Sequence, residues 1–161
     1  MSFRNGFYLC VIIAVALGLF LLRLWQPEQQ VRKHSEHLLE SIMDKDWDEF
    51  ESQIAEDYHD QWRHDRTAVL QRTRAVARYA RGLQISVIAP NIRIENRTGY
   101  WRAFISIDGD KDNEVIALMK ERVNPVKTPF ELEWQRKSGK PWDWKLISVR
   151  NPELELPGGI D

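Results

Sequence analysis

The chain has 161 residues, of which 43% are hydrophobic and 29% charged, a balance that excludes both a disordered chain and one embedded throughout in a membrane. The first 25 residues carry two arginines and no acid, which leaves 21 basic and 24 acidic residues in the remainder, a net charge of −3. Phosphate binding needs a surplus of positive charge on some face, so this composition argues against nucleic acid as a partner. The single cysteine excludes an intramolecular disulfide.

The N-terminal segment is apolar and uncharged from Phe7 to Leu22. Its length lies at the lower edge of the roughly 17–25 residues that span a bilayer, and it lacks the polar face of a buried core helix. A cleaved signal peptide is the alternative, but the boundary at Arg23, Leu24 and Trp25 offers no small residue for cleavage. We therefore predict that residues 1–25 form a single-pass membrane anchor, signal-anchor in type, with Phe7, Leu22 and Trp25 in or beside the bilayer.

The orientation of this anchor is not set by charge, because Arg4 precedes the apolar run while Arg23, Arg32 and Lys33 follow it. A very short N-terminal tail commonly stays in the cytoplasm while the domain behind it is exported. We therefore expect the soluble domain to be extracytoplasmic, with the lipid bilayer as partner of the N-terminal helix.

Helical signals follow the anchor. Pro27 suits the first turn of a helix that continues to Asp44 with apolar residues at helical spacing. Asp46, with Glu49 three residues later, matches a capping box and predicts the start of a second helix. Asp65 is in position to cap a third.

From Leu83 onward the apolar residues alternate with a period of two, which is typical of half-buried strands. Pro90 interrupts the first strand and predicts a bulge or bend there. Asp108-Gly109 predicts a hairpin turn after the second. Residues 115–123 fit either a strand or a short helix, and we favour a strand. The predicted strands are 83–94, 101–107, 115–123, 130–134 and 142–150.

Helices first and antiparallel strands afterwards indicate an α+β class, with helices packed on a curved antiparallel sheet in a cone-like arrangement. The predicted soluble domain covers residues 26–153, and residues 154–161 are predicted to be a flexible tail. Seven tryptophans indicate an aromatic core. We expect Trp134 and at least one of Trp142 and Trp144 to be largely buried.

This order of elements resembles the nuclear transport factor two-like superfamily, whose cone-shaped fold is shared with ketosteroid isomerase and scytalone dehydratase. The resemblance covers residues 29–152. It is carried by the segment from Lys45 to Phe50 behind a long helix, by Glu56-Asp57-Tyr58, and by the final strand pair 130–134 and 142–146.

The resemblance implies a cone with an internal pocket, and enzymes of the family use acids and tyrosines that point into it. The first soluble helix, Pro27 to Asp44, lacks the tyrosine that a ketosteroid isomerase would carry there. Many members are non-enzymatic, and membrane-tethered versions occur as accessory domains.

The densest polar cluster lies between Glu56 and Arg66. Asp57 and His59 could share acid–base work with Tyr58 as hydrogen-bond donor, although a capped, salt-bridged connection between helices explains the same residues. On a helix, consecutive side chains fan out by about 100°, so these three cannot all face one pocket. Residues four apart share a face, and we expect a pocket lined by Tyr58, Trp62 and Arg66.

Metal binding is not expected. Two of the four histidines lie three apart on a helix, but no cysteine supports them. Asp108, Asp110 and Asp112 resemble the first ligands of a calcium loop, yet Asn113 and Met119 stand where such a loop needs glycine and glutamate. We predict no metal and no cofactor, and a polar hairpin turn at this place.

Two functions remain. The leading hypothesis is a membrane-tethered, non-catalytic domain that binds a protein partner or a second copy of itself. The alternative is a small-molecule-binding domain or acid–base enzyme, isomerase-like or dehydratase-like, that uses the cone pocket. A deep apolar pocket with Asp57, Tyr58 or His59 pointing inward favours the second, and a cone plugged by tryptophans favours the first.

Overall fold

The computed structural model describes the backbone of residues 3–154 and the side chains of residues 11–154, residue 24 excepted. The predicted tail, residues 154–161, lies outside the described residues apart from Leu154, and so does the side chain of Phe7. The described helices are α1 (Phe3–Leu24), α2 (Pro27–Asp44), α3 (Trp47–Gln53), α4 (Arg66–Tyr79) and α5 (Glu114–Val123), and the strands are β1 (Gln84–Glu95), β2 (Thr98–Asp108), β3 (Phe130–Arg136) and β4 (Trp144–Arg150).

The four strands form one antiparallel sheet in the order β1-β2-β3-β4, and helix α2 packs across it. The predicted α+β architecture, helices on an antiparallel sheet, is confirmed. Helix α2 lies so close to the sheet that a side chain at Gly99 would overlap Val31. The β1–β2 register shifts between Ile88 and Asn91, so the bulge predicted around Pro90 is confirmed.

Two helix starts are capped by the predicted side chains. The Asp46 carboxylate accepts the backbone N–H of Glu49 at 3.1 Å, and the Asp65 carboxylate accepts that of Ala68 at 2.8 Å. Each cap gives a partner to a backbone N–H that the helix itself cannot pair. Both predicted caps are confirmed.

Residues 115–123 form helix α5, so the strand predicted there is wrong. The hairpin turn predicted at Asp108-Gly109 is also wrong, because the chain continues from this point into helix α5. The cause is local. The side chain of Asn113 accepts the backbone N–H of Ile116 at 3.0 Å and so caps the helix. Ile116 is buried, and Met119 and Val123 repeat at helical spacing on the same face.

The core lies between helix α2, helix α3 and the inner face of the sheet. Trp101, Trp134 and Trp144 are almost fully buried, whereas Trp142 is 52% exposed. The prediction that Trp134 and one of the two later tryptophans are buried is therefore confirmed.

The N-terminal helix gives a less simple result. In the range over which side chains are described, no single helix combines the length and hydropathy of a membrane span. The required length and hydropathy are reached only when two helical segments are taken together, Val11–Arg23 and Pro27–Asp44, which are bent by 64° relative to each other.

We expect Trp134→Ala to lower the free energy of unfolding by roughly 3–5 kcal/mol, because it empties a fully enclosed site in the core. Trp142→Ala is the matched control, and we expect it to change stability by roughly 0.5 kcal/mol, as for an exposed side chain. Urea denaturation followed by circular dichroism measures both. A loss below about 1 kcal/mol for Trp134→Ala would contradict this assignment of the core.

Candidate functional site

A cavity of about 840 Å³ lies between helix α4, helix α2 and the inner face of the sheet. Its volume falls in the range of roughly 300–1,000 Å³ that is usual for small-molecule sites. Its wall is mostly aliphatic, with contributions from both helices and from all four strands. These apolar residues include Leu38, Leu39, Ile42, Val69, Val76, Ile85, Ile105, Ile107, Leu132, Leu146 and Val149.

Helix α4 has its most extensive packing against α2, and a space remains between its cavity-facing side and the sheet. Leu70 and Ala77 are the buried residues of α4. Val69, Thr73 and Val76 lie on another face of the helix and line the cavity. The sheet supplies the opposite wall, so apolar side chains face each other across a space that they do not fill.

The polar part of the wall comes from the segment between α3 and α4. Tyr58, Asp60, Trp62 and His64 all line the cavity. Their positions differ by two residues, so they do not follow the spacing of one helix face. The backbone first runs along the edge of β4, where Ala55 donates to the carbonyl of Leu146 and His59 to that of Ile147. It then turns back, with Arg63 donating to the carbonyl of Asp60 and His59 bridged to Asp65 in antiparallel fashion.

Asp60 organises this segment. One of its carboxylate oxygens, Oδ1, accepts the backbone N–H groups of Trp62 at 2.9 Å and His64 at 2.8 Å. The other, Oδ2, lies 2.9 Å from Nδ1 of His64 and accepts the Tyr58 hydroxyl at 3.4 Å. The Asp60 side chain is only 3% exposed. Four donors therefore compensate the burial of this carboxylate.

The same arrangement sets the chemistry of His64 and Tyr58. A carboxylate can only accept, so Nδ1 of a neutral His64 carries the proton and Nε2 is left as an acceptor. Among the hydrogen bonds between described residues, none uses Nε2 of His64. Burial, reinforced by the Asp60 charge, raises the pKa of Tyr58, so its phenol stays protonated at neutral pH.

The far end of the chain holds this segment in place. The Gln61 side chain exchanges two hydrogen bonds with the backbone of Asn151, at 2.5 Å and 2.9 Å. The indole N–H of Trp62 donates to the carbonyl of Leu154 at 2.8 Å. These bonds fix the orientation of Trp62 at the cavity wall.

The structure separates the residues that the sequence proposed for a site. Tyr58 and Trp62 lie on the cavity wall. Asp57 and His59 are exposed. The ammonium group of Lys137, 2.7 Å from Asp57, lowers the pKa of that carboxyl. Arg66 does not line the cavity, because its guanidinium lies 3.3 Å from Glu51.

Asp60 and His64 were missed as site residues, because the segment was interpreted with helical geometry. The sequence carries no clear signal for them, because a turn of the backbone brings Tyr58 and His64 to the same carboxylate.

Metal ligation has no support within the part of the chain that is described, where no group of three or more His, Cys, Asp or Glu side chains is arranged to hold an ion. Asp108, the first acid of the calcium-like spacing, is paired with Lys120 at 2.8 Å.

We expect Asp60→Ala to lower the free energy of unfolding by roughly 2–4 kcal/mol, because it leaves several partly buried donors without an acceptor, each costing about 1–3 kcal/mol before water compensates. Asp57→Ala removes an exposed ion pair from the same segment and should cost less than about 1 kcal/mol. Chemical denaturation of the two variants gives the comparison. Equal losses would show that Asp60 is not the organising group.

Comparison with known proteins gives likeness in structure alone: no family model and no curated protein matches the chain. A candidate ketosteroid isomerase from Shewanella frigidimarina matches with a TM-score of 0.58 and 11% identity, over 77% of this chain and 95% of that one. A candidate dehydratase from Streptomyces avermitilis matches at 0.53 and 14%, over 76% and 91%.

Bd1075 from Bdellovibrio bacteriovorus matches at a TM-score of 0.57 and 12% identity, over 76% of this chain, which spans only 38% of Bd1075. Other matching structures are described as nuclear transport factor two-like or cystatin-like proteins of unknown function. At these identities the likeness concerns the fold, and the chain has the nuclear transport factor two-like fold that its sequence resembles.

Proposed function

We propose that the domain binds an apolar small molecule in the cavity between α4 and the sheet. The observation that carries this proposal is a cavity of about 840 Å³ with an aliphatic wall and one organised polar cluster. Protein interiors normally pack to the density of organic crystals, so an unfilled apolar space of this size is costly unless a ligand occupies it.

The polar cluster defines what a ligand would meet inside. The Tyr58 hydroxyl and both Asp60 oxygens are already engaged with each other or with His64. Within this cluster, Nε2 of His64 is therefore the hydrogen-bonding atom that remains for a ligand, and a hydroxyl is the group that suits a neutral imidazole acceptor.

Acid–base catalysis is the second candidate function, supported by the Asp60–His64 contact. A carboxylate that holds Nδ1 of a histidine orients the ring and strengthens Nε2 as a base. Two matching structures are a candidate isomerase and a candidate dehydratase. Binding without catalysis is favoured because the proton of Tyr58 is already shared with Asp60, which leaves the base without an evident acid beside it.

We expect the neutral fluorophore N-phenyl-1-naphthylamine to bind at about one molecule per chain, with a rise in its fluorescence. Thr73→Trp places a large side chain on the cavity wall and should weaken binding at least tenfold. Thr67→Trp, at an exposed position of α4 that does not line the cavity, should leave binding unchanged. Equal binding by the two variants would place the fluorophore elsewhere.

We further propose that residues 1–25 tether this domain to a membrane, with the domain on the extracytoplasmic side. The supporting observation is that large apolar side chains of α1 lie exposed on the described part of the helix, with Ile12, Leu19 and Leu22 each more than 60% exposed. A contiguous apolar surface of this kind is rare on a free monomer. Trp25, also exposed, suits the interface.

Small-molecule binding was the alternative that the sequence offered, and the apolar cavity supports it. From the leading hypothesis we keep the tether and the absence of catalysis as parts of the proposal. The other component of that hypothesis, a protein partner or a second copy of the chain, stays a prediction.

The tether predicts that the full-length chain stays in the membrane pellet after an alkaline carbonate wash, whereas a chain beginning at Gln26 appears in the supernatant. Quantitative immunoblotting of both fractions measures the distribution, and an N-terminal sequence of the retained protein controls for cleavage. Release of the full-length chain, or a mature N-terminus beyond Trp25, would exclude the anchor.

A further inference from the structure

We propose that the ligand of the cavity is a single-chain amphiphile with an anionic head group, carboxylate or phosphate, that pairs with Arg72 while its chain occupies the apolar interior. This inference rests on the proposed binding function and adds to it the chemistry of the ligand.

The exposed residues among those that line the cavity show where it opens to solvent. Arg72, Ala75 and Val76 line the cavity and are also exposed, whereas Leu38 and Leu132 on other parts of the wall are buried. The cavity therefore opens beside the outer part of α4. Arg72 is three residues from Val69 and four from Val76, so its side chain shares their face of the helix and stands at the opening.

The charge at this opening is uncompensated. Arg74 of the same helix pairs with Glu51 at 2.9 Å, and Arg66 lies against the same carboxylate. The ion pairs found between described residues include none for Arg72, and α4 contains no acidic residue. A free guanidinium at the rim of an apolar cavity is suited to a carboxylate or phosphate, which it can hold through two parallel hydrogen bonds.

The interior selects against a cationic or strongly polar ligand. Asp60 is the one acid among the lining residues, and both its oxygens already accept hydrogen bonds. A ligand cation would find no free carboxylate oxygen there. The rest of the wall is mostly aliphatic, which suits a hydrocarbon chain whose head group stays at the opening. His64 can in addition receive a hydroxyl on that chain.

The test uses the full-length chain in phosphatidylcholine nanodiscs, with empty nanodiscs as the blank, and three radiolabelled probes: myristate, tetradecyl phosphate and methyl myristate. The methyl ester has the same chain as myristate without the charge. We expect at least one anionic probe to bind tenfold or more tightly than the ester, and the comparison of the two anions identifies the head group.

Arg72→Gln should abolish this preference for the anion while the ester binds as before. Arg78→Gln is the matched control, since Arg78 is an exposed arginine of α4 that does not line the cavity, and it should keep the preference. An ester that binds as well as both anions, or a preference that survives Arg72→Gln, overturns the anionic ligand but leaves cavity binding intact. Failure of all three probes to bind overturns both proposals.

Discussion

The buried carboxylate of Asp60 is the interaction on which the candidate site depends. Four donors surround it, two from the backbone and two from the side chains of Tyr58 and His64. A buried carboxylate with fewer partners would be costly, so the segment adopts the one path that supplies them. That path turns Tyr58, Trp62 and His64 toward the cavity and leaves Asp57 and His59 exposed to solvent.

The cavity follows from a second constraint, the position of helix α4. The helix begins directly after the Asp60 segment, with Asp65 as its cap, and it packs against α2 while its Val69 and Val76 face the sheet across open space. If α1 is a tether, only two residues separate it from α2, which holds the domain next to the membrane surface. Such a surface is a natural source of single-chain amphiphiles, which connects the tether with the proposed ligand.

Helix α5 shows why some elements could not be assigned from the sequence. Over nine residues, an apolar pattern fits a period of two almost as well as one of 3.6, so periodicity alone does not separate strand from helix. The deciding residue was Asn113, which was weighed as a failed calcium ligand although its side chain caps the helix. Gly109 also fits this arrangement, since a side chain there would overlap Ile116.

The sequence by itself determined the features that depend on neighbouring residues: the caps at Asp46 and Asp65, the bulge near Pro90, and the burial of Trp134 through strand alternation. These are local, because a cap or an alternating strand involves residues only a few positions apart. Only the tertiary structure decided the candidate site. The backbone of the segment from Tyr58 to His64 bonds to β4, and its Gln61 side chain bonds to Asn151, about 90 positions away. The cavity is open because a space remains between α4 and the sheet. No local sequence pattern encodes either feature, since both depend on contacts between residues far apart in the chain.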